Sequence, residues 1–181
     1  GPAVMLGYYK REAETREAMA GGWFHTGDIG GLDSEGFLKI TDRKKDLIVT
    51  ASGKNVAPQK LEGLLKTNPY FVTVVAVGDK RPFVSALVVP NADKLKAQAE
   101  FMGLNSRSYS ELLRAPAIKE FLLAQIQTAT RDLAPFEQIK RIELLENDFT
   151  IAAGELTPKM SVRRRFVEAK YMDLIDQMYA C

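Results

Sequence analysis

The sequence predicts an α+β protein in which a small mixed sheet is covered by helices and preceded by a β-hairpin. Beyond residue 70, β-branched runs at 71–77 and 83–89 are followed by stretches whose apolar residues recur at helical spacing. Ahead of them, residues 22–41 alternate short strand-forming stretches with turn residues, the pattern of a hairpin. The two regions meet at Asp42, Arg43, Lys44, Lys45 and Asp46, consecutive charges set between apolar strands. Such a block is not core; it is a solvated turn or a ligand-facing hinge.

Taken in order, residues 1–9 read as a strand-like run and 10–19 as a polar helix rich in Glu and Arg. Residues 21–28 form a turn into an aromatic strand, Trp23 and Phe24, that ends on a polar tip at Asp28, and 33–36 is a second turn. A two-stranded hairpin is marginal in water, so this piece is expected to lean on further protein. Phe37, Leu38 and Ile40 enter a strand from Gly36, 47–50 is another strand, and 51–55 is a small-residue loop. Pro58 opens a helix over 59–66, because its fixed φ suits a first helical position. The runs 71–77 and 83–89 form a hairpin across 78–82 and, with 47–50, a small sheet. Helices are expected over 92–102, 109–113 and 116–133, the last with Ile118, Phe121, Leu122, Gln125, Ile126 and Ala129 on one face. A strand over 139–145 precedes a closing amphipathic helix over 162–179 that directs Phe166, Ala169, Tyr171, Leu174 and Met178 inward. There is no internal repeat or low-complexity tract.

Composition narrows the function classes. A chain of 181 residues with 46% hydrophobic content is long enough for one good core or two small ones. Charge is nearly balanced, 25 Lys and Arg against 23 Asp and Glu, which gives no global reason to expect a nucleic-acid partner. The only cysteine, Cys181, excludes an intramolecular disulfide and a cysteine-based zinc site. No apolar run reaches the ~18 residues of a membrane span, and no secretory pattern opens the chain, so a cytoplasmic protein is expected, peripheral to a membrane at most. The abrupt start reads as a cut from something larger.

Several residues carry candidate chemistry. His25 has no serine or cysteine partner in a nucleophile context and reads as structural, so no hydrolase triad is expected. Asp28 follows Gly27, where the backbone is free to approach closely, and its carboxylate suits vicinal hydroxyls; an Asx-turn accounts for it as well. Arg43 offers a planar fork for a sugar hydroxyl or phosphate, or a surface ion pair with Asp42 or Asp46. Lys159 precedes Arg163, Arg164 and Arg165 at the start of the closing helix, where cations oppose the macrodipole and an anionic partner would compensate.

Together, GWFHTGDIG at 22–30, GFLKITDRKKDLIVTASGKNVAP at 36–58 and GELTPKMSVRRRFV at 154–167 resemble the C-terminal third of a long-chain fatty acid–CoA ligase of the adenylate-forming (AMP-binding) superfamily. Three motifs in order at compatible spacing are specific where each alone is weak. The resemblance implies a two-step reaction: a fatty acid and ATP give acyl-AMP and pyrophosphate, and CoA then displaces AMP. It implies that residues 1–42 are the edge of a larger N-terminal adenylation domain, a partner within the same protein. Residues 43–181 are then a mobile C-terminal domain with its hinge at 42–46. By the same resemblance Asp28 and Arg43 hold the ribose of ATP or AMP, Lys45 is the hinge residue, and Ser52, Gly53, Lys54 and Asn55 line the CoA arm. Mg2+ is implied too, with its ligands in the missing domain. One departure stands out: the adenylating lysine of such ligases falls at Ser161 in this register, whereas this chain carries Lys159. In an extended segment a shift of two keeps a side chain on the same face, which makes Lys159 the candidate. With no phosphate-cradling loop and no acyl tunnel, the fragment alone is expected to be inactive. The competing class is a stand-alone nucleotide- or CoA-binding or interaction module that uses Arg163 to Arg165.

Overall fold

The computed structural model describes residues 1–104 and 108–180, so Cys181 lies outside the described residues. The chain separates into two compact units, Gly1–Lys45 and Asp46–Cys181.

In the first unit, helix α1 (Glu12–Ala18) is followed by a 3-10 turn at Ala20–Gly22 and an antiparallel hairpin of β1 (Asp28–Leu32) and β2 (Leu38–Arg43). Residues 1–9 are not a strand. Their backbone groups are met locally, Val4 N–H by the Gly1 carbonyl and Tyr8 N–H by Thr15 Oγ1, with no strand alongside to pair. Trp23 and Phe24 likewise precede the strand rather than forming it, and Asp28 opens β1 instead of ending it. The Asp33 carboxylate closes the hairpin turn by accepting from the N–H groups of Glu35 and Phe37. The exposed His25 has its Nε2 3.0 Å from the Ala20 carbonyl oxygen.

The second unit is built on a three-stranded mixed sheet. Strand β5 (Phe71–Val77) runs antiparallel to β6 (Val84–Pro90), and β7 (Ile139–Leu144) lies parallel on the other side of β6. The central strand β6 is buried along its whole length, as expected for a strand covered on both faces. Alternation divides it cleanly. Val84, Ala86 and Val88 face one core with Val74, Ala76 and Ile142, while Leu87 and Val89 face another with Val75 and Val77.

Helices α2 (Pro58–Leu65), α3 (Ala92–Phe101), α4 (Tyr109–Arg114) and α5 (Pro116–Ala129) cover the first face through Leu61, Leu65, Leu95, Leu112, Ile118, Leu122 and Ile126. Their ends follow local chemistry. Pro58 and Pro116 stand in the first turns of α2 and α5, Asn91 caps α3 by accepting from Lys94 N–H, and Ser108 and Glu111 form a reciprocal capping box on α4. The second face is covered by α6 (Arg164–Lys170) and α7 (Met172–Tyr179) through Val167, Ile175 and Met178, joined by Phe149.

Further expectations need correction in the second unit. The segment around Ile48 does not join the main sheet: β3 (Ile48–Val49) pairs with β4 (Asn55–Val56) in a separate ladder, and the third strand of the main sheet is β7. The closing helix is two helices, broken at Tyr171, whose hydroxyl donates to Glu155 and whose ring stacks on Phe149. Phe166 is exposed and Val167 takes the inward position one residue on; Ala129 is exposed too, its place taken by buried Thr130.

Leu122→Ala, which empties a fully buried site between α5 and the sheet, is expected to lower stability by about 2–5 kcal/mol in urea unfolding of the chain. Val72→Ala, on β5 but half-exposed, should stay within about 0.5 kcal/mol.

Candidate functional site

The hairpin register sets Asp28 directly opposite Arg43, and Arg43 Nε lies 3.0 Å from Asp28 Oδ1. Asp42 is buried, against the expectation that the whole charged block is solvated. Its Oδ1 accepts from the Arg43 backbone N–H at 2.6 Å. The Arg43 side chain is open to solvent and Asp28 is partly covered, so as an ion pair they contribute little to stability. Chemically the pair juxtaposes acceptors and a fork of donors, a combination suited to adjacent hydroxyls. Lys45 stands in the exposed turn between β2 and β3, the last residue of the first unit.

The loop between β3 and β4 is a tight turn organised by Thr50. This buried threonine accepts from Lys54 N–H at 3.1 Å and lies 3.0 Å from Ser52 Oγ, while its backbone N–H donates to the Lys54 carbonyl. Gly53 has φ +75°, which a side chain rarely adopts, and open space around its Cα. Lys54 reaches over the Phe136 ring at 5.8 Å, and Asn55 pairs with Val49 in the short ladder. The loop is fastened from below: Val49 N–H donates to Asp79, Lys80 N–H to the Val49 carbonyl and Ala51 N–H to the Arg81 carbonyl.

Lys159 and Ser161 belong to a second tight turn. Leu156 and Val162 form an antiparallel bridge, Thr157 N–H donates to Ser161 O at 2.8 Å, and Met160 N–H to Thr157 O at 2.8 Å. Pro158, Lys159 and Met160 are therefore a three-residue hairpin loop, with Met160 in the left-handed region at φ +60°. The segment is neither extended nor helical, so strand alternation does not put Lys159 and Ser161 on one face. Both are exposed.

Behind this turn lies Glu155, a buried carboxylate that the sequence reading treated only as part of a motif. Its Oε1 accepts from Lys170 Nζ at 2.8 Å and the Tyr171 hydroxyl at 2.7 Å, and its Oε2 from Thr150 N–H at 3.0 Å. Burial works against its ionisation, yet the Lys170, Tyr171 and Thr150 hydrogen bonds outweigh burial and hold its pKa below the ordinary glutamate value.

The three arginines diverge instead of gathering on one anion. Arg163 donates to the Gly154 carbonyl and lies over Phe166, and Arg165 is exposed. Arg164 turns inward: it meets Glu62 Oε1 at 2.7 Å and the Ala76 carbonyl at 2.6 Å, with both charged side chains almost fully covered. The anion that offsets its charge at the helix start is thus internal. Glu62 was legible in principle, since it lies four residues after Pro58 and three before Leu65 on the buried stripe of α2.

Residues 45–181 match the model of a family described as the AMP-binding enzyme C-terminal domain. The chain is 39% identical over 183 residues to the long-chain-fatty-acid–CoA ligase FadD15 of Mycobacterium tuberculosis, covering 99% of this chain and 30% of that protein. It is 38% identical over 199 residues to the long-chain-fatty-acid–CoA ligase ACSBG1 of Bos taurus, covering 99% of this chain and 27% of that one. Among solved structures it resembles the A domain of carboxylic acid reductase from Segniliparus rugosus, in complex with AMP and a co-purified carboxylic acid. That match has a TM-score of 0.79 at 26% identity and covers 97% of this chain and 26% of the other. The chain therefore spans roughly a third or less of the length of these relatives.

Because the folded-state pKa of Glu155 is depressed, the stability it contributes is full above the ordinary glutamate range and is lost as pH falls through its lowered value. The difference in melting temperature between the wild-type chain and Glu155→Gln should accordingly be largest near neutrality and shrink on acidification. A difference independent of pH would remove the ionised carboxylate from the account.

Proposed function

The chain belongs to the AMP-binding enzyme C-terminal domain family, and on that footing we propose that it is the C-terminal part of a long-chain fatty acid–CoA ligase. In this reading the whole protein joins a fatty acid to ATP and passes the acyl group from acyl-AMP to CoA. The observation that carries the assignment onto residues is the Asp28–Arg43 pair, a carboxylate and a guanidinium brought side by side by the hairpin at the place where the nucleotide ribose is expected. Asp28 accepts from the ribose hydroxyls and Arg43 donates to them. The loop with Ser52, Gly53, Lys54 and Asn55 serves the CoA arm, and the turn with Lys159 presents a cation to the oxygens on which charge develops during adenylation.

The partner in this reading is the larger N-terminal adenylation domain of the same protein. The exposed aromatic and aliphatic side chains of the first unit support it: Trp23, Leu32, Phe37, Leu38 and Ile40 are all exposed, more apolar surface than a lone hairpin carries comfortably. Among the described residues no group of His, Cys, Asp and Glu is placed to hold a metal ion. In this reading the ligands of Mg2+ belong to the larger adenylation domain. No helix among the described residues is long and apolar enough to cross a membrane; the reading carries with it a cytoplasmic protein that touches membrane surfaces at most.

Two experiments on the intact ligase test the assignment. Lys159→Ala should slow acyl-adenylate formation by about a hundredfold or more, on the scale of losing one preorganised charge stabiliser, and leave thioester formation from supplied acyl-adenylate intact. Adding Ser161→Lys to that variant should restore part of the rate. Unchanged adenylation in Lys159→Ala would leave Lys159 a surface residue.

The hinge is tested at Lys45. Proline locks φ near −65° and cannot follow a large dihedral change, so Lys45→Pro should depress one half-reaction far more than the other, while Lys45→Ala, which removes the charge and keeps the freedom, should not. Equal behaviour of the two variants would make the segment a charged binding element.

A further inference from the structure

Among the described residues no strand lies beside the outer edge of β5, and at Ala76 an ion pair stands in for one. The Ala76 N–H donates to Glu62 Oε1 at 2.9 Å, the Ala76 carbonyl accepts from Arg164 Nη1 at 2.6 Å, and the same Glu62 oxygen accepts from Arg164 Nη2 at 2.7 Å. Ala76 is fully buried, and the two charged side chains are 12% and 11% exposed. Glu62 comes from α2 on one face of the sheet and Arg164 from the first residue of α6 on the other.

Arg164 lies two residues after Val162, which closes the lysine turn, and Glu62 lies in the second turn of α2, the helix that follows β4. The two segments are not held alike. The β3–β4 loop has its own fasteners in Thr50, Asp79 and Arg81, and Lys60 of α2 is tied to Glu137. On the lysine-turn side, the bonds of Glu155 run to Thr150, Lys170 and Tyr171, all within residues 150–171. Arg164 ties this segment directly to the backbone of the sheet, while a second tie, Thr73 Oγ1 of β5 donating to Asp148, lies two residues ahead of Thr150.

We propose that Glu62 and Arg164 are positioning residues for the lysine turn: by capping Ala76 they fix where Lys159 is presented relative to the sheet. The proposal rests on the ligase reading for its consequence in catalysis and on geometry alone for its mechanical part. Arg164 is suited to the task because its planar fork spans an oxygen of Glu62 and a carbonyl at once, which a lysine ammonium on a single stem does not reproduce.

The test has two arms. In the intact ligase, Arg164→Met and Glu62→Ala should lower acyl-adenylate formation about tenfold or more relative to thioester formation from supplied acyl-adenylate, since small misplacements of a reacting group carry penalties of that order. Arg164→Lys should not rescue the ratio, and the double variant should be no worse than the worse single one. In the 181-residue chain, amide exchange should accelerate at Ala76, Thr157 and Ser161 in the variants while Gly53 and Lys54 keep wild-type rates. Equal loss of both half-reactions, or unchanged exchange in the turn, would reduce the pair to a general brace and overturn the proposal. Absence of adenylation by the wild-type ligase would instead sink the ligase reading, and the exchange arm would still decide the positioning role.

Discussion

The second unit depends on how it closes the edge of β5. A three-stranded sheet has two edges for one centre, and each edge offers backbone groups that must find partners once helices exclude water. At Ala76 both groups are met by one buried ion pair whose members come from opposite layers. Such a pair is weak evidence of net stabilisation, because desolvating two charges is expensive; leaving either charge alone costs about 3–5 kcal/mol. Its worth lies in geometry. Glu62 and Arg164 satisfy each other and the backbone only when α2, β5 and α6 are in register, so the pair specifies an arrangement that apolar contact between layers leaves free to slide.

That arrangement also bears on the two segments proposed to carry chemistry. Loops that carry reactive groups need rigid elements beneath them. The loop from Ala51 to Lys54 is held by bonds to the β5–β6 connection, and the turn around Lys159 by Glu155 and the start of α6. Both segments are exposed at their tips and fastened at their bases, the property expected of groups presented to something outside this unit. Buried polar contacts here anchor loops, while the two apolar cores hold the layers.

The second unit was legible because its signals are strong: β5 and β6 follow from β-branched runs, β7 from alternation, α2 from Pro58, and α3 to α5 from helical spacing. The sequence failed where a tertiary partner decided the outcome. Alternation says that Ile48 faces a core but not which strand it pairs with, and two residues of ladder leave almost no signal. The break at Tyr171 depends on a hydroxyl reaching Glu155, sixteen residues away, and no helical pattern contains that. In the candidate site, Asp28 and Arg43 were each readable as polar residues beside a turn, yet their meeting depends on a hairpin register that carries an irregularity between Ile29 and Gly30. Glu62 stands on the buried stripe of α2 and Arg164 in a basic cluster, but only the edge of β5 makes them partners.

The lysine turn shows how local geometry changes a question posed by sequence. A displacement of two residues, from the position of Ser161 to Lys159, is harmless in a strand, where side chains alternate, but here the two positions flank a left-handed residue in a three-residue loop. Met160 adopts φ +60° without the freedom of glycine, so the turn holds a conformation that costs of order 1 kcal/mol and must be sustained by its surroundings. Those surroundings are present: the Leu156–Val162 bridge, the Thr157 hydroxyl accepting from Ser161 N–H, and Glu155 beneath. A flexible loop would let a lysine at either position find the same target by moving the backbone. This turn is fixed, with Pro158 locking φ on one side and Met160 committed on the other. In the proposed ligase reading, Lys159 would therefore reach its target through its own side-chain torsions, and the placement of the turn on the sheet would become part of the chemistry.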